Sequence, residues 1–123
     1  MYSFRIRRVI FTTDADVTLR MMKARTGLTP NILCRMALAI SLQEPGKPRL
    51  VDSEEKSQRE INRYTLLGEY EAAFISLAKI KFDQDGIAPE RADDYFIAHL
   101  HRGVSLLANR VKSIGDVGAL ASA

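Results

Sequence analysis

Few side chains in this sequence have the type and spacing that catalysis or metal binding requires. His99 and His101 are two residues apart, so on a helix they point in different directions and do not chelate one metal ion. Each is more typical of a surface histidine than of a ligand. The acidic run at residues 83–86 lacks the third ligand of a calcium loop, because Ile87 occupies that position, and it is interpreted as a turn.

The remaining reactive groups also show no pattern typical of catalysis. Cys34 is the single cysteine and lies among apolar neighbours, so it is expected to be an inert core residue without a disulfide, in a reducing, cytoplasmic setting. Gly46 and Lys47 lack the other residues of a phosphate-binding loop. No nucleophile, base and orienting group occur together, so the sequence predicts no enzymatic activity, no cofactor and no metal site.

Charge is the stronger signal. The 123 residues include 18 basic and 15 acidic side chains, a net charge of +3. Residues 1–50 hold nine basic and three acidic side chains and net +6, whereas residues 51–123 net −3. Such a split favours a polyanion-binding region on an acidic scaffold, although chance asymmetry explains it equally well at this point. No apolar run approaches the roughly 20 residues of a membrane span.

The basic half contains a predicted strand followed by a helix. The β-branched and aromatic residues of Tyr2–Thr12 predict a short strand or extended arm. No partner strand is evident in the chain, so pairing with the same strand of another subunit is expected. The helix begins near Thr12–Asp14 and ends at Thr26, with Gly27 as its C′ stop. Its predicted apolar face comprises Val17, Met21, Ala24 and Leu28.

A second helix follows at once. Thr29 is a suitable cap, Pro30 suits the first helical position, and the helix is predicted to run to about Leu42. It is apolar almost all round, which indicates burial on several sides. The polar stretch 44–59 is predicted to be a loop.

Two longer helices are predicted over Ile61–Phe82 and Glu90–Ser113, separated by a turn at Asp83–Pro89. The last helix has a packing seam of Phe96, Leu100, Val104, Leu107, Val111 and Ile114. The small-residue tail 115–123 is expected to fray. The whole chain, 1–123, is predicted to be one domain: a basic arm (1–12), a helix-turn-helix (13–43) and two long helices (60–114).

The order of strand, helix, turn and apolar helix is that of a ribbon-helix-helix element. In that element two chains pair their strands, and the N-terminus of the second helix can receive a phosphate. Here the Thr29 hydroxyl and the amides of Asn31 and Ile32 would form the anion site. Thr29 and Pro30 are equally suited to capping a core helix, so both interpretations remain open.

Residues 25–31, Arg-Thr-Gly-Leu-Thr-Pro-Asn, resemble the turn of the DndE family, together with Arg35 and Ala37 in the following helix. The resemblance extends from about Thr13 to Val117. Further matching residues are Leu67, Gly68, Glu69, Ala98, His99, Gly103 and Leu107. The arm at Tyr2–Phe11 departs from the family, since it is more apolar and richer in arginine.

The resemblance implies a small, mainly helical protein of the bacterial DNA phosphorothioation system, which replaces a non-bridging phosphate oxygen with sulfur. It implies a tetramer that binds nicked duplex DNA, without a cofactor, beside a cysteine desulfurase, a sulfurtransferase-like enzyme and an ATPase. Gly27 and Pro30 would shape the turn and assembly. Arg20, Lys23 and Arg25 would correspond to the family's first-helix lysine region.

We therefore expect a mainly α fold, with a ribbon-helix-helix-like N-terminal part and two longer helices, forming an oligomeric four-helix subunit. The expected function is non-catalytic binding of double-stranded, nicked DNA. The expected DNA-binding residues are Arg5, Arg7, Arg8, Arg20, Lys23, Arg25, Thr29, Asn31 and Arg35. Two alternatives are a protein-interaction scaffold and a ribbon-helix-helix transcription regulator; the apolar face of Phe4, Ile6 and Ile10 argues against the regulator.

Overall fold

A computed structural model describes residues 1–111 and places most of them in helices, which confirms the mainly helical prediction. The helices are α1 (Thr13–Thr26), α2 (Pro30–Gln43), α3 (Arg63–Leu67), α4 (Glu71–Gln84) and α5 (Ala92–Arg110); the strands are β1 (Arg8–Thr12) and β2 (Lys56–Asn62). Short 3₁₀ turns occupy Ser53–Glu55, Gly68–Tyr70 and Pro89–Arg91. Within the described residues, no helix is both long and apolar enough to cross a membrane. Ser113, Ile114 and the tail 115–123 lie outside the described residues.

The predicted boundaries of α1 and the start of α2 are confirmed. The Thr12 side chain accepts a hydrogen bond from the Ala15 amide at 3.1 Å, which caps the first turn of α1. Gly27 ends the helix with φ of 75°, a left-handed conformation that favours glycine. Pro30 occupies the beginning of α2, where its missing amide proton costs no hydrogen bond.

The predicted apolar face of α1 is wrong. Val17 and Met21 are 56% and 42% exposed, whereas the helix buries Ala15, Asp16, Leu19, Met22 and Thr26. The helix is rotated because Asp16 faces inwards to an arginine of β2, and α1 therefore presents a different stripe to the core. The spacing of apolar residues along α1 gives no sign that Asp16 pairs with Arg59 of β2, so it could not predict this rotation.

The two strands form an antiparallel ribbon within the chain. Arg8 pairs with Asn62, Val9 with Ile61 and Ile10 with Glu60, and an irregularity follows before Thr12. The expectation that β1 has no partner in its own chain is therefore wrong, and so is the loop prediction for residues 56–59. The sequence of β2, Lys-Ser-Gln-Arg-Glu-Ile-Asn, contains one β-branched residue, so its composition carries no strand signal.

The long helix predicted over Ile61–Phe82 is two helices. The chain turns at Gly68, where φ is 54° and ψ is −137°, values that a side chain would strain. A Cβ at this position would also lie 2.7 Å from Nη2 of Arg35. The last helix begins at Ala92, two residues later than predicted, because a 3₁₀ turn at Pro89–Arg91 precedes it.

The centre of the molecule is the crossing of α2 and α5. A Cβ at Gly103 would lie 1.9 Å from the carbonyl oxygen of Ala37, so the two helices touch backbone to backbone there. Cys34 is fully buried in this crossing, as predicted. The predicted seam is confirmed for its described members, Phe96, Leu100, Val104, Leu107 and Val111, all buried.

The N-terminal arm is fixed along the outside of this core. The Tyr2 hydroxyl donates to the carbonyl of Ile87, and the Tyr2 and Phe4 rings both pack at 5.7 Å from the ring of Phe82. Arg63 donates from Nη1 to the carbonyls of Phe4 at 2.6 Å and Ile6 at 3.3 Å. The arm is thus an ordered, extended part of the subunit.

Neither histidine is a surface residue, contrary to the prediction. His99 is 1% exposed, and its Nδ1 lies 2.8 Å from Oγ of Ser41. Arg102 donates from Nε to the same Oγ at 2.9 Å, so the serine proton is directed to the histidine. Burial, reinforced by the charges of Arg102 and Lys81, lowers the pKa of His99 to about 4.

His101 is half-buried and fully hydrogen-bonded. Its Nε2 accepts the amide of Thr12 at 3.1 Å, and its Nδ1 lies 2.9 Å from the carbonyl of Ile97. Burial lowers the pKa of His101 as well, so both histidines are neutral structural groups near pH 7.

Candidate nucleic-acid interface

Three shallow concavities follow β2 and share lining residues. The first, of about 450 Å³, is lined by Arg5, Ile6, Arg7, Asn62, Arg63, Tyr64 and Glu71. The second, of about 250 Å³, is lined by Pro30, Asn31, Arg59, Glu60, Ile61, Asn62 and Thr65. The third, of about 540 Å³, is lined by Asp16, Arg20, Gln58, Arg59 and Glu60. We call these residues together the β2 surface.

The β2 surface brings together four of the predicted DNA-binding residues. Asn62 belongs to the first two concavities, and Arg59 and Glu60 belong to the last two, so the three are continuous. The four predicted residues on this surface are Arg5, Arg7, Arg20 and Asn31. They come from the arm, α1 and the start of α2, and the strand that joins them is one that composition alone did not predict.

At the arm end, two arginines keep their charge available. Arg5 and Arg7 are exposed, and within residues 1–111 no carboxylate oxygen lies within 4.0 Å of either guanidinium. Arg63 beside them is instead paired, since its Nε donates to Oε1 of Glu71 at 2.7 Å. Arg63 therefore positions the arm, whereas Arg5 and Arg7 are free to meet an anion.

At the other end, one carboxylate holds two arginines. Asp16 is 6% exposed; one oxygen accepts Nε of Arg59 and the other lies 2.9 Å from Nη2 of Arg20. The hydrogen bond from Arg59 lowers the pKa of Asp16 against the opposing effect of burial. Glu60 lines the same concavity, so this end carries two positive and two negative side chains, and the excess of positive charge on the β2 surface comes from the arm end.

The N-terminus of α2 lies in the middle of the surface. Thr29 has the extended conformation of a cap, φ −71° and ψ 155°, but its side chain makes no capping hydrogen bond. Its hydroxyl donates to Oδ1 of Asn31 instead. The predicted anion site at the amides of Asn31 and Ile32 remains a prediction.

Other predicted DNA-binding residues lie elsewhere or are engaged. Lys23 and Arg25 are exposed in the last turn of α1 and do not line the three concavities. Arg8 lies 3.7 Å from Glu60 in an exposed ion pair.

Arg35 fastens α2 to the following helices. It donates from Nε to the carbonyl of Leu66 at 2.8 Å and from Nη2 to that of Thr65 at 3.1 Å. Its guanidinium carbon also lies 5.6 Å from the ring centre of Tyr70. Two of its five N–H donors are therefore used inside the protein, and its phosphate contact remains a prediction.

Three residues of this surface escaped the sequence analysis: Arg59, Arg63 and Tyr64. Half-buried and exposed positions alternate strictly along β2, but this period of two does not appear in the residue types. It was hidden because the half-buried positions are mostly polar.

No described group offers catalytic chemistry. Burial raises the pKa of the Cys34 thiol to about 12, so it is protonated and enclosed. Among residues 1–111, no three His, Cys, Asp or Glu side chains are grouped to hold a metal ion. The arrangement that remains is a set of fixed cations on a small helical subunit, which can bind an anion.

A mainly helical subunit with a polar two-stranded ribbon and a basic surface has the features of a small anion-binding protein. The family model for the DNA sulphur modification protein DndE matches residues 8–114. The chain belongs to the DndE family. No curated protein matches the sequence.

Two solved structures share the fold. The crystal structure of DndE from Escherichia coli B7A, involved in DNA phosphorothioation modification, has a TM-score of 0.64 and 24% identity, covering 85% of this chain and 99% of that chain. A glycine-to-lysine mutant of DndE, also involved in DNA phosphorothioation, gives a TM-score of 0.63 and 22% identity, with the same coverage. At these identities the likeness supports the fold alone.

Proposed function

We propose that this protein is a non-catalytic DNA-binding subunit of the phosphorothioation machinery and binds nicked duplex DNA through its basic surface. The observation that carries the proposal is the β2 surface, whose linked concavities include Arg20 and, without an ion-pair partner among residues 1–111, Arg5 and Arg7. Membership of the DndE family supports the DNA sulphur modification context. Its partners would be the sulfurtransferase-like and ATPase subunits in the cytoplasm.

The chemistry of this surface suits the DNA backbone rather than a base sequence. Arginines at fixed positions contact phosphates and release condensed counterions, so affinity falls steeply with salt. Lys23 and Arg25 extend the positive charge along α1. Binding of this kind has weak sequence preference, in keeping with a subunit that serves many modification sites.

We also propose that the working unit is a homo-oligomer, with four copies as the family resemblance implies. Val17 and Met21 expose an apolar stripe on α1 that is unused within the subunit described here. Covering it with another copy would multiply the basic surface. Measuring the mass in solution, with and without nicked DNA, tests this proposal.

The DNA proposal is tested by charge reversal. Arg5→Glu with Arg7→Glu, both on the β2 surface, should weaken binding of a nicked duplex at least tenfold at low salt, since two attractive charges become repulsive. The slope of log affinity against log salt should decrease by about two. Fluorescence anisotropy across a salt series measures both quantities.

The matched control is Lys79→Glu, an exposed charge reversal on α4, away from the β2 surface. It should reduce affinity much less than the double variant. Unchanged affinity in the double variant, with a native circular dichroism spectrum, would contradict the β2 surface as the DNA interface.

A second candidate function is a protein-interaction scaffold. Tyr70, Leu77 and Ile80 are 50–58% exposed along α4, and this apolar face could receive a partner subunit. Retention of a phosphorothioation partner by the protein, combined with no mobility shift of DNA, would favour this function.

The transcription-regulator alternative is disfavoured by the ribbon. Val9 and Phe11 of β1 are fully buried, and Ile10 is half-buried. A strand that reads bases in the major groove needs outward polar side chains, and among these residues only Arg8 provides one.

A further inference from the structure

The most exposed aromatic side chain of the described residues lies beside free arginines. Tyr64 is 85% exposed, compared with 51% for Tyr70. Within residues 1–111 the Tyr64 ring has no stacked aromatic neighbour and no cation over its face. Leaving a ring of this size in water forgoes the stabilisation that burial would bring.

The backbone that carries this ring is held firmly. The Asn62 side chain caps α3 by accepting the Thr65 amide at 2.8 Å. Arg63, next to the tyrosine, is fixed by Glu71 and by the carbonyls of Phe4 and Ile6. The ring therefore projects from a rigid base, which reduces the entropy lost when a flat ligand stacks on it.

The surroundings of the ring are positively charged. Tyr64 lines the same concavity of about 450 Å³ as Arg5 and Arg7. The one carboxylate in that lining, Glu71, is paired with Arg63 at 2.7 Å. Neither Arg5 nor Arg7 has an ion-pair partner among residues 1–111, so a ligand in this concavity meets two available guanidinium groups and one uncovered aromatic face.

Part of this concavity lies outside the segment that the family model matches. The family match begins at residue 8, whereas Arg5 and Arg7 belong to the arm that precedes it. The arm is held in place by Tyr2, Phe4 and Arg63, so its arginines stay beside Tyr64. The charged half of the concavity is therefore built by residues outside the matched segment.

We propose that Tyr64 is a stacking platform for an unpaired nucleobase, whose flanking phosphates contact Arg5 and Arg7. Aromatic rings beside basic grooves bind single-stranded nucleic acid in this way, because every base has a π-face and every nucleotide a charge. The ligand class is DNA with an unpaired base, which a gap or a single-stranded overhang supplies directly and a nick supplies when the base pair beside it opens. The inference rests on the proposed function, since it requires that the subunit binds DNA.

The experiment compares three labelled DNAs of one sequence by fluorescence anisotropy at fixed salt: an intact duplex, a duplex with one nick and a duplex with a short overhang. Tyr64→Ala should lose about tenfold affinity for DNA with an uncovered base and little for the intact duplex. Tyr64→Phe should keep the wild-type affinities, because the ring is retained. Tyr70→Ala is the matched control at the second exposed tyrosine and should leave the preference unchanged.

A fluorescent base analogue at the nick or overhang gives a second measurement. Its emission should be quenched by the wild type and by Tyr64→Phe, and much less by Tyr64→Ala. Arg5→Gln with Arg7→Gln should weaken binding to all three DNAs while the quenching at saturation remains. Whether quenching occurs at the nick, the overhang or both identifies the source of the base, and each of these results supports the proposal.

Two results overturn the stacking role and leave the proposed function intact: equal wild-type affinity for all three DNAs, or wild-type behaviour of Tyr64→Ala. Failure of the wild type to bind any of the three DNAs would overturn both proposals. Because Tyr64 is exposed, its substitution should leave the fold intact, and a loss of affinity is then not caused by misfolding. Circular dichroism of each variant checks this directly.

Discussion

The crossing of α2 and α5 and the β1–β2 ribbon are organised by opposite means. At the crossing, Gly103 meets the carbonyl of Ala37 without space for a methyl group, and the surrounding seam is buried. Along the ribbon, the strand positions of β2 alternate between exposed and half-buried, and charged side chains fasten them. Shape complementarity holds the first region, and ion pairs and hydrogen bonds hold the second.

This difference assigns stability mainly to the crossing of α2 and α5 and ligand binding mainly to the ribbon and its arm. A close-packed crossing tolerates almost no change in volume, but it leaves nothing exposed to recognise a ligand. The ribbon contributes less apolar burial and keeps arginines at the surface, where Arg5 and Arg7 remain unpaired among the described residues. Four substitutions or titrations test this division, and their expected effects decrease from the crossing to the ribbon.

The largest effect is expected from Gly103→Ala. The new Cβ would lie 1.9 Å from the Ala37 oxygen, so α2 and α5 must separate. We expect the free energy of unfolding to fall by more than about 3 kcal/mol, measured by urea denaturation. The control is Ser105→Ala, an exposed position of α5 that should change stability by less than about 0.5 kcal/mol. Native stability of Gly103→Ala would show that the crossing is looser than described.

The second effect is the loss of stability in acid caused by His99. Its pKa is about 4 in the folded protein, because burial disfavours the charged imidazole, and about 6.5 in an unfolded chain. The unfolded state therefore binds the proton first, and stability falls as the pH decreases below about 6.5. The loss should reach about 3 kcal/mol near pH 4.

Urea denaturation at several pH values measures this loss, and His99→Gln should reduce the slope between pH 6.5 and 4. The lowered pKa of His101 adds a contribution of the same sign, so the variant should keep part of the slope. An NMR titration of the native protein in which His99 protonates near pH 6.5 would contradict the buried network.

A smaller effect is expected from Asp16→Asn at the ribbon. The variant removes the charge that holds Arg59 and Arg20, and we expect a loss of about 2 kcal/mol at pH 7. The pKa of Asp16 is lowered in the folded state, so its contribution is present above the unfolded pKa of about 3.9 and disappears as the pH falls below that value. The variant should therefore lose stability less steeply in acid than the wild type. A difference in stability that is constant from pH 7 to pH 3 would refute the ionic origin.

The smallest effect is expected from Arg8→Gln. Its ion pair with Glu60 spans 3.7 Å between side chains that are 62% and 53% exposed, and water screens such pairs. Stability should change by less than about 0.5 kcal/mol in urea denaturation. A loss comparable to that of Asp16→Asn would mean that exposed charges also hold the ribbon together.

Sequence analysis predicted the helices with local signals. Thr12, Gly27 and Pro30 mark the ends of α1 and α2 through capping and backbone preference, which depend on neighbouring residues only. The buried seam of α5 was predicted from the spacing of its apolar residues, which lie three and four positions apart. The DndE resemblance was confirmed by a family match over residues 8–114.

The parts that sequence analysis missed depend on contacts between distant residues. The strand β2 is polar, and its pairing with β1 spans more than forty residues, so neither composition nor local periodicity shows it. His99 is held by Ser41 and Arg102 inside the core, where a polar residue was not expected. The candidate surface was found in part, since Arg5, Arg7 and Arg20 were predicted but Arg59, Arg63 and the strand β2 were not.

The docked arm has a consequence for the order in which the parts of the chain assemble during synthesis. Tyr2 binds a carbonyl 85 residues further along, and Phe4 is held by Arg63, so the arm docks on segments that are synthesised after it. The arm therefore reaches its final position only after α3 and α4 have been made. For the same reason, the interface to which Arg5 and Arg7 belong is completed late in the assembly of the subunit.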